Sequence, residues 1–99
     1  MRRNREEILK ILEDNRDVIR SYGVRRLGLF GSCARGECNE ASDLDFVVEL
    51  EKKSFDVYMD LKTFLEELFG CQVDLVLAET VKPRLRSAIL GETVHVAGL

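Results

Sequence analysis

The sequence predicts an α/β fold, a small mixed β-sheet flanked by helices, and three observations predict it. Apolar residues recur at helical spacing in two long segments. Three short apolar runs, each bounded by glycine or polar residues, read as strands. The two kinds of segment are interleaved, in the order helix, strand, turn, strand, helix, strand, helix, so the strands need helices to cover them.

The first helix is expected over about residues 5–21, where Ile8, Leu9, Ile11, Leu12 and Ile19 share a face and Gly23 follows as a C-terminal cap. Residues 27–30, Leu-Gly-Leu-Phe, form a short buried strand. Residues 31–41 are small and polar, fit for a turn and at most a helical turn or two. Residues 44–50 form a second strand, with Phe46 and Val48 on one face and Asp43, Asp45 and Val47 on the other. Ser54 is placed to N-cap a second long helix over about 55–69, whose Val57, Leu61, Phe64, Leu65 and Leu68 make an apolar stripe and which Gly70 ends. Residues 72–78 make a third strand. Pro83 suits the first turn of a last helix over about 83–90, closed by Gly91, and residues 93–96 add a short terminal strand. No repeat, low-complexity tract or linker interrupts the pattern, so residues 1–99 read as one domain.

Composition narrows the class. The chain is 45% hydrophobic and 33% charged, an ordinary globular balance that argues against disorder. Folding at this size buries roughly 65% of the unfolded surface; the core is small, and a homodimer would add useful burial. A net charge of −3 lacks the basic footprint of a nucleic-acid binder. No apolar run approaches the ~20 residues of a membrane helix. The basic start, Met1 to Glu6, leads into an amphipathic pattern and not a secretory apolar core. The expected setting is the cytoplasm. Cys33, Cys38 and Cys71 cannot all pair internally, and His95 is the single histidine, so no zinc set is present; free thiols are expected.

The chemistry is carried by acids. Asp43 and Asp45 stand two apart at the start of a strand, which points both side chains one way with Cα atoms about 6.5–7 Å apart. Carboxylates so placed can converge on one cation or on two. Asp74 sits inside the apolar run Val73-Asp74-Leu75-Val76-Leu77, where aspartate is disfavoured. If the third strand neighbours the second, Asp74 completes a trio. Two carboxylates about 5 Å apart repel by roughly 3 kcal/mol at an effective dielectric of about 20, so three together need cations. Magnesium accepts such hard oxygen ligands together with substrate phosphates. An Asp-x-Asp alone is most often a solvated strand end.

Beside the acids lies Gly31-Ser32-Cys33-Ala34-Arg35-Gly36. Gly31 permits a sharp bend, Ser32 offers a hydroxyl and an amide to a phosphate oxygen, and Arg35 can contact phosphate or pair with a carboxylate. The spacing of Gly31 and Gly36 mimics a Walker loop, but Glu37 and Cys38 stand where that loop requires Lys and Ser or Thr. The Walker reading fails. His95 and the exposed-face set Lys82, Arg84 and Arg86 read as structural or solvated, and Tyr58, Met59, Phe64 and Phe69 as core or interface.

In this combination the chain resembles the nucleotidyltransferase superfamily that includes DNA polymerase beta, and more narrowly the minimal nucleotidyltransferases that serve as antitoxin partners of HEPN-domain toxins. The resemblance rests on Gly31-Ser32 with Arg35-Gly36, Ser42-Asp43-Leu44-Asp45, Asp74 in its apolar strand, and the segment from Lys82 to Leu90 followed by Val94. It implies two magnesium ions and ATP as substrate. Asp43 and Asp45 would hold both ions, Asp74 the ion near the attacking oxygen, and Ser32 would contact the triphosphate. The implied reaction moves AMP from ATP to a hydroxyl, a tyrosine of a HEPN RNase toxin, and silences it. Larger relatives carry domains that recognise acceptors; this chain has none, so its acceptor is expected on another protein. Two other readings stand beside it: an antitoxin that acts by occlusion without catalysis, and nucleotidyl transfer to a small molecule.

Overall fold

A computed structural model of the protein describes residues 4–31, 33–36, 43–52, 54–80, 84, 91 and 93–96. The chain opens with α1 (Arg5–Asp14), whose N-cap Asn4 accepts a hydrogen bond from the Glu7 N–H at 2.8 Å while Glu6 and Glu7 complement the helix dipole. The helix predicted over 5–21 breaks at Asn15. There the side-chain amide donates back to the Ile11 carbonyl at 2.8 Å, and the backbone N–H is shared between Ile11 and Leu12. A side chain competing for the i−4 carbonyl bends the helix, and α2 (Arg16–Ser21) resumes beyond it. Ile8, Leu12 and Ile19 are fully buried, as their spacing required.

Strand β1 (Val24–Phe30) begins three residues earlier than the apolar run suggested. Two adjacent arginines hide its first half in the sequence. A β-bulge between Val24 and Arg26 turns both Arg25 and Arg26 to solvent, where Arg26 meets Glu49 at 3.6 Å. Strand β2 (Leu44–Leu50) and helix α3 (Phe55–Phe69) have the predicted bounds, and the Ser54 hydroxyl accepts from the Val57 N–H at the helix start. Strand β3 (Val73–Leu77) is one residue shorter at each end and runs into a 3-10 turn, Ala78–Thr80. Strand β4 (Val94–His95) is present; the helix expected over 83–90 lies outside the described residues apart from Arg84.

The sheet order is β3-β2-β1-β4, with β1 antiparallel to both β2 and β4 and β3 parallel to β2. A parallel pair needs a crossover, and α3 supplies it. The helices cover one face. Phe69 stacks on Phe46 with ring centroids 5.9 Å apart, Leu61 and Leu65 are fully buried beside them, and the Tyr58 hydroxyl donates to the Leu75 carbonyl at 2.5 Å. Phe64 meets Tyr22 edge-on. This connectivity brings the end of β1, the start of β2 and the start of β3 to one end of the sheet. No helix among the described residues is long and apolar enough to cross a membrane.

Candidate active site

Register builds the site. Phe30 pairs with Asp45, and Asp45 pairs with Asp74. Neighbouring strands lie about 4.8 Å apart, and cross-strand partners share a face, so Asp45 and Asp74 project together. Leu44, Phe46, Val73 and Leu75 alternate into the core, which fixes the acids on the other face. Asp43 precedes β2 by one residue and is exposed, as is Asp74; Asp45 between them is half-buried.

The electrostatics follow from this crowding. The Asp45 carboxyl titrates above the ordinary value of 3.8, first because burial removes water and then because the charges of Asp74 and Asp43 press on it. A hydrogen bond shared with the Asp74 carboxyl adds to the rise, and the Arg35 guanidinium opposes it. Uncompensated negative charge on hard oxygens is what a divalent cation relieves, so the donor set fits magnesium. Among the described residues no three of His, Cys, Asp or Glu stand as a finished ligand group.

The turn after β1 presses on the same carboxylate. Gly31 has φ 77°, and a Cβ built there would overlap Asp45 Oδ2 and lie 3.1 Å from its Cγ. Glycine is required on both counts. The Arg35 N–H donates to the Gly31 carbonyl at 3.3 Å and the Gly36 N–H to the Cys33 carbonyl at 3.2 Å, while Cys33 and Ala34 are buried. Arg35 is exposed, within electrostatic reach of Asp45. Ser32 lies outside the described residues. Cys33 is disulfide-bonded and Cys71 is a free thiol, which corrects the expectation of three free thiols. Burial of Cys33 in the turn restricts access to its sulfur, and exchange depends on access.

Three residues at this end of the sheet escaped the sequence reading. Arg5, on the first turn of α1, donates from Nη1 to the Ala34 carbonyl at 3.2 Å and so ties the helix to the turn. Glu66, on α3, accepts from the Val73 N–H at 3.3 Å beside Asp74. Lys62 and Glu66 line a polar cleft of about 260 Å³ together with Asp43, Gln72, Val73 and Asp74. Nothing local marks these residues; each is one charge among many on an amphipathic helix.

A mixed sheet with acids on two neighbouring strands beside a glycine turn defines an α/β domain of the nucleotidyl-transferring class. The chain belongs to the nucleotidyltransferase domain family, whose profile matches residues 5–96. The protein adenylyltransferase MntA of Thermococcus cleftensis is 40% identical over 93 residues, covering 92% of this chain and 94% of that protein. A solved structure provisionally named a minimal nucleotidyltransferase superposes with a TM-score of 0.72 at 38% identity, over 87% of this chain and 93% of its own. A chain from the complex of tri-AMPylated Shewanella oneidensis HEPN toxin with MNT antitoxin superposes at 0.65 with 18% identity, over 92% of this chain and 73% of its own, a likeness of fold alone.

Proposed function

We propose that the protein is a magnesium-dependent adenylyltransferase that moves AMP from ATP to a hydroxyl, a tyrosine, on a HEPN-domain RNase toxin, and so acts as its antitoxin. One observation carries the reading: Asp45 is flanked in register by the β1 turn on one side and by Asp74 on the other. The name of the Thermococcus relative, protein adenylyltransferase, supports the reaction, and the Shewanella complex supports the kind of partner.

Asp43 and Asp45 would hold two magnesium ions, with Asp74 beside the one nearer the acceptor. Bound there, the ions would neutralise phosphate charge and stabilise the attacking and leaving oxygens. Gly31, Ser32 and Arg35 would hold the triphosphate through backbone amides, hydroxyl and guanidinium. The acceptor oxygen attacks the α-phosphorus, the bond to the β-phosphate oxygen breaks, and pyrophosphate leaves. Asp74 takes the hydroxyl proton. Positioning and charge do most of the work in such transfers. The reading sets the protein in the cytoplasm, where ATP is available, as one domain with the acceptor on a second chain.

The test is incubation with labelled ATP, magnesium and the protein encoded by the neighbouring gene, which the reading expects to carry a HEPN domain. Label on a tyrosine of that partner is expected, and Asp43→Ala and Asp45→Ala should abolish it without unfolding the chain. A folded wild type that binds ATP and labels nothing would remove the activity. Variants that lose transfer yet still neutralise the toxin would transfer the role to occlusion.

A further inference from the structure

An in-line displacement puts the attacking and leaving oxygens on opposite sides of the phosphorus. This inference rests on the transfer reading above, in which the turn after β1 holds the triphosphate. The turn stands on the β1 side of Asp45, so the pyrophosphate departs toward β1 and the acceptor must arrive over β3. On that side lies the cleft of about 260 Å³ between α3 and the start of β3. It is smaller than the roughly 300–1,000 Å³ of pockets that enclose a whole small ligand. A protruding side chain with its flanking group fits such a space better than an entire small-molecule acceptor.

The charges of the cleft say what that flanking group is. Its walls carry Asp43, Glu66, Asp74 and Lys62. Asp43 and Asp74 are the groups assigned to the cations, and Glu66 already accepts from the Val73 N–H. Lys62 is half-buried on α3 and makes no ion pair among the described residues. Among the described residues it is the charge lining the cleft that is left to meet a ligand. We infer that Lys62 is a specificity-determining residue for the acceptor, pairing with an anionic group, a carboxylate or a phosphate, that flanks the acceptor hydroxyl on the partner protein.

The inference is tested with three fluorescent tyrosine peptides, flanked by glutamate, by phosphoserine or by lysine, titrated into the full chain with magnesium. The wild type should bind both anionic peptides about fivefold more tightly than the lysine peptide, the scale of a partly exposed ion pair. Lys62→Gln should erase that preference and Lys62→Arg should keep it, with circular dichroism confirming that both variants are folded. The better of the two anionic peptides names the group. No preference in the wild type, an unchanged preference in Lys62→Gln, or no binding of any peptide would overturn the assignment. Steady-state transfer to the HEPN partner supplies a second readout: Lys62→Gln should raise KM for the partner and not KM for ATP. Peptide preference in a wild type that transfers no AMP would remove the reaction and leave Lys62 as a docking residue. Transfer with an unaltered partner KM in Lys62→Gln would remove this inference and leave the reaction.

Discussion

Replacing Gly31 by alanine separates two effects that usually come together. The residue sits at φ 77°, and an L side chain in that region costs about 1–2 kcal/mol. The new Cβ would also overlap Asp45 Oδ2, with Asp45 Cγ at 3.1 Å, so the carboxylate must turn off its rotamer at roughly 0.5–1.5 kcal/mol more. The expected loss of stability is therefore about 1.5–3.5 kcal/mol, read by urea denaturation. Gly23 is the control. It has φ 83° with nothing within 4 Å of its added Cβ, and it lies at the opposite end of β1 from the acids. Gly23→Ala should cost about 1–2 kcal/mol from backbone strain alone. Activity divides the two further. A displacement near 1 Å of a positioned group costs on the order of 10²-fold in rate, so Gly31→Ala should lose about that much AMP transfer per folded molecule while Gly23→Ala keeps wild-type turnover. Magnesium binding by calorimetry should weaken in parallel in Gly31→Ala. Equal activity and equal magnesium affinity in the two variants would refute the claim that the turn fixes the Asp45 carboxylate.

Other expectations follow from single contacts. The folded Asp45 carboxyl binds its proton more tightly than an unfolded one, so its contribution to the stability of the ion-free protein is full below about pH 3.8 and is lost as pH rises through the folded value. Asp45→Asn should therefore melt higher than wild type at pH 7 in chelator, with the gap closing toward acid and on addition of magnesium, which helps the wild type alone. Arg5→Ala removes the hydrogen bond to the Ala34 carbonyl and should raise KM for ATP about threefold to tenfold, on the order of 1 kcal/mol, with Arg5→Lys intermediate. Phe69→Ala empties the stack on Phe46 and should cost about 3–5 kcal/mol, enough to leave a domain of this size largely unfolded in modest urea. Tyr58→Phe, which loses only the bond to the Leu75 carbonyl, should cost about 1 kcal/mol.

The parts of the fold legible in the sequence are those whose signal is local. Helix α3 carries a capping serine, an apolar stripe and a terminal glycine, and its predicted bounds hold. Strand β2 alternates cleanly until its buried middle. The first half of β1 was not legible, because a bulge lets two consecutive arginines face solvent and breaks the period a strand is recognised by. The break at Asn15 was hidden for the opposite reason. The apolar spacing runs through it undisturbed, and one amide bonded to the Ile11 carbonyl decides the bend. The oxidation of Cys33 also escaped, since counting thiols gives compartment and not burial.

For the site, what could be read depended on whether a residue conflicts with its own surroundings. Asp74 stands in an apolar strand that disfavours aspartate, and such a conflict persists where something else compensates it. The parallel register with β2 explains the conflict: Asp45 lies directly across, on the same face, where the two carboxyls crowd each other and call for a cation. Arg5, Lys62 and Glu66 conflict with nothing. A charge on a helix surface is locally ordinary, and these three matter through where α1 and α3 dock, which is decided by Ile8, Leu12, Leu61 and Leu65 in the core. Their positions are consequences of packing, so a substitution that shifts α3, such as Leu65→Ala, should disturb the acceptor cleft before it disturbs the turn that follows β1. The β1–β2 pairing that places Gly31 against Asp45 does not pass through α3.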